Sequence, residues 1–106
     1  MRTTLPVPLE KGVQYDVKRA YEAVGCFVAN FSQARASKQT PGIPDFYVFP
    51  PLLRGAPWWH EVKRPKGKQS VQQRAWQQMC EVRHVAYVCG GVQEALEHLR
   101  EIGVIR

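Results

Sequence analysis

Two carboxylates and a lysine form the pattern in this sequence that could do chemistry. Asp45 opens one short apolar run, and Glu61 and Lys63 stand two positions apart in the next. Because side chains alternate faces along a strand, Glu61 and Lys63 would share a face. If the two runs pair as a hairpin centred near residues 53–54, Asp45 faces residue 61, 62 or 63.

Paired carboxylates of this kind are typical of a divalent-metal site. Burying two carboxylates side by side is costly unless a cation compensates their charge. Mg²⁺ does so with carboxylate and carbonyl oxygens plus waters. A nearby lysine can orient a metal-bound water or help deprotonate it, and the metal neutralises charge that builds on a phosphate. The pattern therefore predicts phosphodiester hydrolysis. The structural alternative is a Pro-Asp turn beside a solvated Glu-x-Lys strand edge.

The charge distribution favours a polyanionic partner. Fifteen basic and nine acidic residues give a net charge of +6. Five basic residues fall within twelve positions that contain no acid: Lys63, Arg64, Lys66, Lys68 and Arg74. Such a stripe suits nucleic acid. The alternative is a solvated loop that keeps the protein soluble.

Local patterns predict a mixed α/β fold with one central sheet. Ser70 and Gln73 match the S-x-x-Q capping box that starts a helix. Apolar spacing predicts the other helices, and short apolar runs predict the strands. In chain order the predicted elements are a helix over 10–24, strands over 26–32, 45–49 and 58–63, a helix over about 70–82, a strand over 84–89 and a helix over about 92–102.

Length and composition exclude several classes of protein. At 106 residues, one domain is expected, with residues 1–9 as a loose arm. No apolar run is long enough for a membrane span, and no secretory signal is evident. Three separated cysteines without a CxxC pair argue against a zinc ribbon. Three free thiols fit a reducing, cytoplasmic setting.

The motifs resemble a known nuclease superfamily. Pro44-Asp45 followed by Glu61-Val62-Lys63 is similar to the PD-(D/E)xK pattern, and more narrowly to the VRR-NUC (virus-type replication-repair nuclease) family. The matching stretches are LEKGVQ, GIPDFYVFP and EVKRPKGKQSVQQRAW. The resemblance covers most of the chain, and it implies a restriction-endonuclease-like αβββαβ core with a mixed sheet flanked by helices.

The resemblance implies a role for each residue of the motif. Asp45 and Glu61 match the metal-binding carboxylates, and the carbonyl of Val62 would be a further ligand. Lys63 matches the catalytic lysine. Glu10 matches a glutamate of the first helix that lies near the metal, directly or through water. The metal would be Mg²⁺ or Mn²⁺.

The resemblance also implies supporting residues around this centre. Gln73 matches the glutamine that steadies the site from the next helix, and Gln72 is the alternative if the register differs by one. The residues expected to contact DNA are Arg64, Lys66, Lys68 and Arg74, together with Arg35 in the preceding polar loop. A solvated loop is an equal alternative for Arg35.

These expectations combine into a metal-dependent DNA endonuclease. Stand-alone proteins of the family, as found in phages, are similar in size and act as homodimers on four-way junctions, so the resemblance implies a homodimer and Holliday-junction cleavage in a bacterial or phage-infected cell. Flaps and nicked DNA stay open as substrates. The competing hypotheses are a non-catalytic nucleic-acid-binding module that uses loop 63–74, and a small interaction protein with a solubilising basic surface.

Overall fold

The computed structural model describes residues 10–32 and 40–106, and these form a four-stranded sheet with helices on both faces. The helices are α1 (Glu10–Ala23), α2 (Val71–Val82) and α3 (Val92–Glu101). The strands are β1 (Phe27–Asn30), β2 (Phe46–Phe49), β3 (Trp58–Val62) and β4 (Tyr87–Gly90). The sheet order is β1-β2-β3-β4, antiparallel except for the parallel β3–β4 pair. The predicted α/β class is confirmed, while the predicted arm over 1–9 lies outside the described residues.

One face of the sheet is covered by α1 and α3. The buried Trp58 packs edge-on against Tyr21 of α1, with ring centroids 5.6 Å apart. The ring of His98 from α3 lies 4.4 Å from the same indole. The apolar core therefore lies between β3 and these two helices, which also contact each other.

The opposite face carries α2 over its β3–β4 half. Trp59 contacts Trp76 of α2 at a ring-centroid distance of 5.3 Å. Gln69, just before α2, donates from Nε2 to the hydroxyl of Tyr87 at 3.2 Å. Consecutive tryptophans thus pack on opposite faces, as strand alternation requires.

All four predicted strands are longer than the observed ones, the first and the last by two residues or more. The first ends at Asn30, because the side-chain oxygen of Asn30 accepts from the backbone N–H of Ser32 at 2.9 Å and turns the chain. The last begins at Tyr87 rather than at 84. The backbone N–H of Val85 still donates to the carbonyl of Cys80 at 2.8 Å, so residues 84 and 85 complete the end of α2. Within the described ranges, no helix is long and apolar enough to cross a membrane.

Candidate metal centre

The β2–β3 register brings the two predicted carboxylates together. Phe46 lies opposite His60 in the antiparallel ladder, so Asp45, one residue earlier, faces Glu61. The carboxylate of Asp45 bends over the end of β3, where its Oδ2 accepts from the backbone N–H of Val62 at 2.8 Å. The predicted hairpin places Asp45 opposite residue 61, 62 or 63. The observed register places it opposite Glu61, so this prediction is confirmed.

A glutamine of α1 holds the second oxygen of Asp45. Nε2 of Gln14 donates to Oδ1 of Asp45 at 3.2 Å. The sequence motif gives Gln14 no role. Its signal was the four-residue step from Glu10 to Gln14 to Lys18, which makes one polar stripe on the helix.

Glu61 is the most constrained polar side chain of the centre. It is 2% exposed. Its Oε2 accepts from Nε2 of Gln73 at 2.7 Å and lies 3.5 Å from Nζ of Lys63. Its Oε1 is buried and receives no hydrogen bond from a donor within residues 10–32 and 40–106, and the Asp45 carboxyl is close enough to share a proton with Glu61. An unpaired buried carboxylate oxygen is costly, and a bound cation would satisfy it.

The capping box of α2 orients the amide of Gln73. Oε1 of Gln73 accepts from the backbone N–H of Ser70 at 2.8 Å, and the backbone N–H of Gln73 donates to Oγ of Ser70 at 3.1 Å. With Oε1 engaged, Nε2 is the atom left to face Glu61. The neighbouring Gln72 is exposed and presents its backbone carbonyl to Gly42, so the motif register places Gln73 at the site.

The electrostatics of the centre show an excess of negative charge. Burial raises the pKa of Asp45, and the negative charge of Glu10 raises it further, whereas the Val62 N–H opposes both. Burial, followed by the charge of Asp45, raises the pKa of Glu61 to about 8 even though Lys63 opposes that rise. One ammonium does not neutralise two buried carboxylates.

The donor set fits a hard divalent cation. Carboxylate and carbonyl oxygens are the ligands of Mg²⁺, which also keeps several waters. The described residues contain no cluster of three or more His, Cys, Asp and Glu side chains suited to a metal. Glu10, at the exposed start of α1, acts on Asp45 through its charge. Its place near the metal stays a prediction.

Four of the five basic residues predicted to contact DNA are exposed in the segment that follows Lys63. They lie on the β3–α2 loop and the first turn of α2: Arg64, Lys66, Lys68 and Arg74. The backbone N–H of Gly67 donates to the carbonyl of Arg64 at 2.9 Å and closes the loop into a turn. A groove of about 520 Å³ between this loop and the start of α3 is lined in part by Lys63 and Arg64. Arg35 lies outside the described residues.

Comparison with known proteins bears on the fold and the motif together. No family model matches the chain, and no curated protein sequence does. A solved structure described as a VRR_NUC domain superimposes with a TM-score of 0.66 and 29% sequence identity, over 87% of this chain and 94% of that one. The resemblance that the motifs predicted is therefore confirmed, and the chain has the nuclease-type fold of a VRR-NUC domain.

Proposed function

We propose that this protein is a metal-dependent DNA endonuclease that hydrolyses phosphodiester bonds. The observation that carries the proposal is the buried Glu61, whose Oε1 has no partner among the described residues while Asp45 and Lys63 stand beside it. A buried carboxylate pair with one unsatisfied oxygen is poorly suited to a purely structural role. The nuclease-type fold supports the same reading.

The chain's own residues would set the geometry of the reaction. Asp45, Glu61 and the Val62 carbonyl would hold Mg²⁺ or Mn²⁺, with Glu10 assisting directly or through water. When bound, the ion would lower the pKa of a water that it coordinates and would neutralise the charge that builds on the phosphate. Lys63 orients the attacking water. The water gives up a proton to solvent as its oxygen bonds to phosphorus, the bond from phosphorus to the leaving sugar oxygen breaks, and that oxygen takes a proton from solvent.

Two glutamines keep the carboxylates in place during this step. Gln73 fixes the orientation of Glu61 from α2, and Gln14 fixes that of Asp45 from α1. Each amide donates to an ionised oxygen, and such charge-assisted hydrogen bonds are stronger than neutral ones. The exposed basic residues of the β3–α2 loop would hold the phosphate backbone next to the centre.

Branched DNA, such as a Holliday junction, is the substrate class we propose, with a homodimer as the active form. Pairing two subunits places two sites on the two strands of a symmetric junction. Sedimentation of the free protein and of its junction complex tests the dimer.

The test of the nuclease is a cleavage assay with Mn²⁺ or Mg²⁺ and an EDTA control. Labelled four-way junction, flap, linear duplex and single strand are compared for the wild type, Glu61→Ala and the matched control Glu97→Ala. Glu97 is an exposed acid of α3, so its loss changes the net charge equally without touching the centre. Cleavage that requires metal and Glu61, but not Glu97, is the expected result.

Each other outcome changes the conclusion. Cleavage of flaps or linear DNA alone would keep the nuclease and reject the junction preference. Retained cleavage by Glu61→Ala would remove the metal centre from the mechanism. A folded wild type that binds DNA in a salt-dependent way without cutting any substrate would establish the non-catalytic binding module instead.

A further inference from the structure

The sheet face that carries the metal centre also carries an exposed group of aromatic side chains. Phe27 is 66% exposed and Phe49 is 40% exposed, and their ring centroids lie 5.9 Å apart across the β1–β2 ladder. Tyr47 packs edge-on against Phe49 at 5.2 Å. We name Phe27, Tyr47 and Phe49 the aromatic platform.

The aromatic platform and the metal centre share one face by register. Tyr47 lies opposite Trp59 in the β2–β3 ladder, and Glu61 follows Trp59 by two positions on β3. Both therefore point to the side of the sheet on which α2 packs. Because α2 lies over the β3–β4 half, through the contact of Trp76 with Trp59, the β1 end of this face stays open to solvent.

Most of the net positive charge of the chain lies in the segment that forms β1, β2, β3 and α2, and this favours DNA as the ligand of this face. The segment 24–82, which supplies β1, β2, β3 and α2, contains eight basic residues and three acidic ones. Two of those acids are Asp45 and Glu61 of the metal centre. The remaining residues contain seven basic and six acidic side chains, so segment 24–82 carries +5 of the net charge of +6. Such a surface attracts a phosphate backbone.

We propose that the aromatic platform binds unpaired DNA bases next to the scissile phosphate. Aromatic side chains stack on unpaired bases of any sequence. Phe49 follows Asp45 by four positions, a rise of about 13 Å along a strand. That span corresponds to about four stacked nucleotides. The inference rests on the proposed nuclease function and adds that nucleotides at the branch point are unpaired in the bound complex.

A second copy of this chain is the competing occupant of the aromatic platform. A symmetric contact would bring the same patch of both subunits together. It would also appose two surfaces built from the segment that carries most of the net positive charge, and like charges in contact oppose association. A polyanion relieves that repulsion instead, and so the charge distribution favours DNA.

The experiment compares binding to a labelled single strand and to the matching duplex, with the full chain in EDTA. The double variant Phe27→Leu/Phe49→Leu keeps apolar side chains in the strands but removes their π faces. Its affinity for single strand should fall about fivefold to a hundredfold, the range for lost base stacking. Its affinity for duplex should change less than twofold. Phe27→Tyr retains a ring and should bind like the wild type.

Other results would overturn the inference. An equal loss on single strand and duplex, or no loss on either, would exclude base stacking at the aromatic platform. If the leucine variant sediments as a smaller species than the wild type, a second copy occupies this face. Binding is measured in EDTA, where no cutting is expected. A negative result for base stacking therefore leaves the cleavage test with Glu61→Ala unaffected, and an absence of cleavage leaves the binding result unaffected.

Discussion

Strand β3 buries two polar side chains at consecutive positions, and their surroundings differ. His60, on the α1 face, is fully buried. Its Nε2–H donates to the carbonyl of Gly90 at 2.9 Å, and its Nδ1 accepts from the Tyr21 hydroxyl at 2.6 Å. The carbonyl can only accept, which assigns this tautomer. Glu61, on the α2 face, is equally buried but leaves Oε1 unpaired among the described residues.

The difference separates a structural polar group from a functional one. Burial lowers the pKa of His60 to about 4, so a neutral ring completes its hydrogen bonds without a charge. Glu61 has its pKa raised by burial and by Asp45, so its ionised form needs a partner that the described residues do not supply. Unsatisfied buried groups in native proteins concentrate where ligands bind.

The largest expected effect comes from Glu61→Gln. The amide keeps the shape of the side chain but gives up the charge that would bind the cation. We expect cleavage to fall about a thousandfold, since loss of metal-based charge stabilisation removes several kcal/mol from the transition state. The thermal midpoint of the metal-free protein at neutral pH should stay close to that of the wild type, because Glu61 with a pKa of about 8 is already uncharged there and the amide keeps its shape. If Glu61→Gln cuts DNA normally, Glu61 has no role in cleavage. If it fails to fold, Glu61 is a structural group like His60.

The second prediction concerns the stability of Glu61→Gln in acid. The unfolded His60 gains a proton below its ordinary pKa of 6.5, whereas the folded ring stays neutral down to about 4. The unfolded state therefore binds more protons in this window, and the free energy of unfolding should fall by about 3 kcal/mol as pH decreases from 6.5 to 4. Denaturant titrations at each pH measure the slope.

A control separates the two histidines that shift in the same direction. Burial also lowers the pKa of His98, so this residue adds a slope of the same sign. The double variant Glu61→Gln/His98→Gln should retain most of the acid-side loss of stability. A flat profile in that variant would show that His60 is not the neutral structural group that its hydrogen bonds indicate.

The third prediction uses the metal as a ligand of the folded state. Mn²⁺ at a hundred times its dissociation constant should raise the free energy of unfolding of the wild type by about 2.7 kcal/mol. Glu61→Gln should gain much less, because the unpaired oxygen is the expected ligand. Thermal melts with and without EDTA test this on the free protein. Equal stabilisation of both proteins would place the metal elsewhere.

The sequence predicted the carboxylate pair because hairpin register is simple arithmetic. A turn near residues 53–54 requires Asp45 to meet the end of β3, and the capping box at Ser70 fixed the start of α2. The contact of Gln14 with Asp45 was not predictable in this way. It depends on how α1 packs on the sheet, which a polar stripe alone does not specify.

Neither the unpaired Oε1 of Glu61 nor the aromatic platform could be predicted from the sequence. Strand alternation assigns Glu61 to a face but does not count its hydrogen bonds. Phe27 and Phe49 read as ordinary apolar strand residues, and their exposure follows from where α2 lies across the sheet. The last strand was placed too early because Val85 is an apolar residue that still bonds to the end of α2.

The fourth prediction is that the metal-free wild type loses stability as pH rises. This is opposite in direction to the loss of stability predicted for Glu61→Gln in acid. Between pH 6.5 and 8 the folded Glu61 retains a proton that the unfolded side chain has lost, because its folded pKa is raised from 4.5 to about 8. The folded state binds more protons, so the free energy of unfolding should fall by about 1 kcal/mol per pH unit as pH rises. Glu61→Gln should be flat over this range. A flat wild type would mean that Glu61 is already ionised and paired.

The smallest expected effect tests how the amide of Gln73 is held. Ser70→Ala removes the hydroxyl that accepts from the Gln73 N–H but keeps the Ser70 backbone N–H that donates to Oε1 of Gln73. Loss of this helix cap should cost about 1 kcal/mol of stability. Cleavage at saturating Mn²⁺ should change little, because Nε2 still faces Glu61. Ser70→Pro also removes the backbone donor and should lower cleavage further at matched stability. If both variants cut equally well, the orientation of Glu61 does not depend on the capping box.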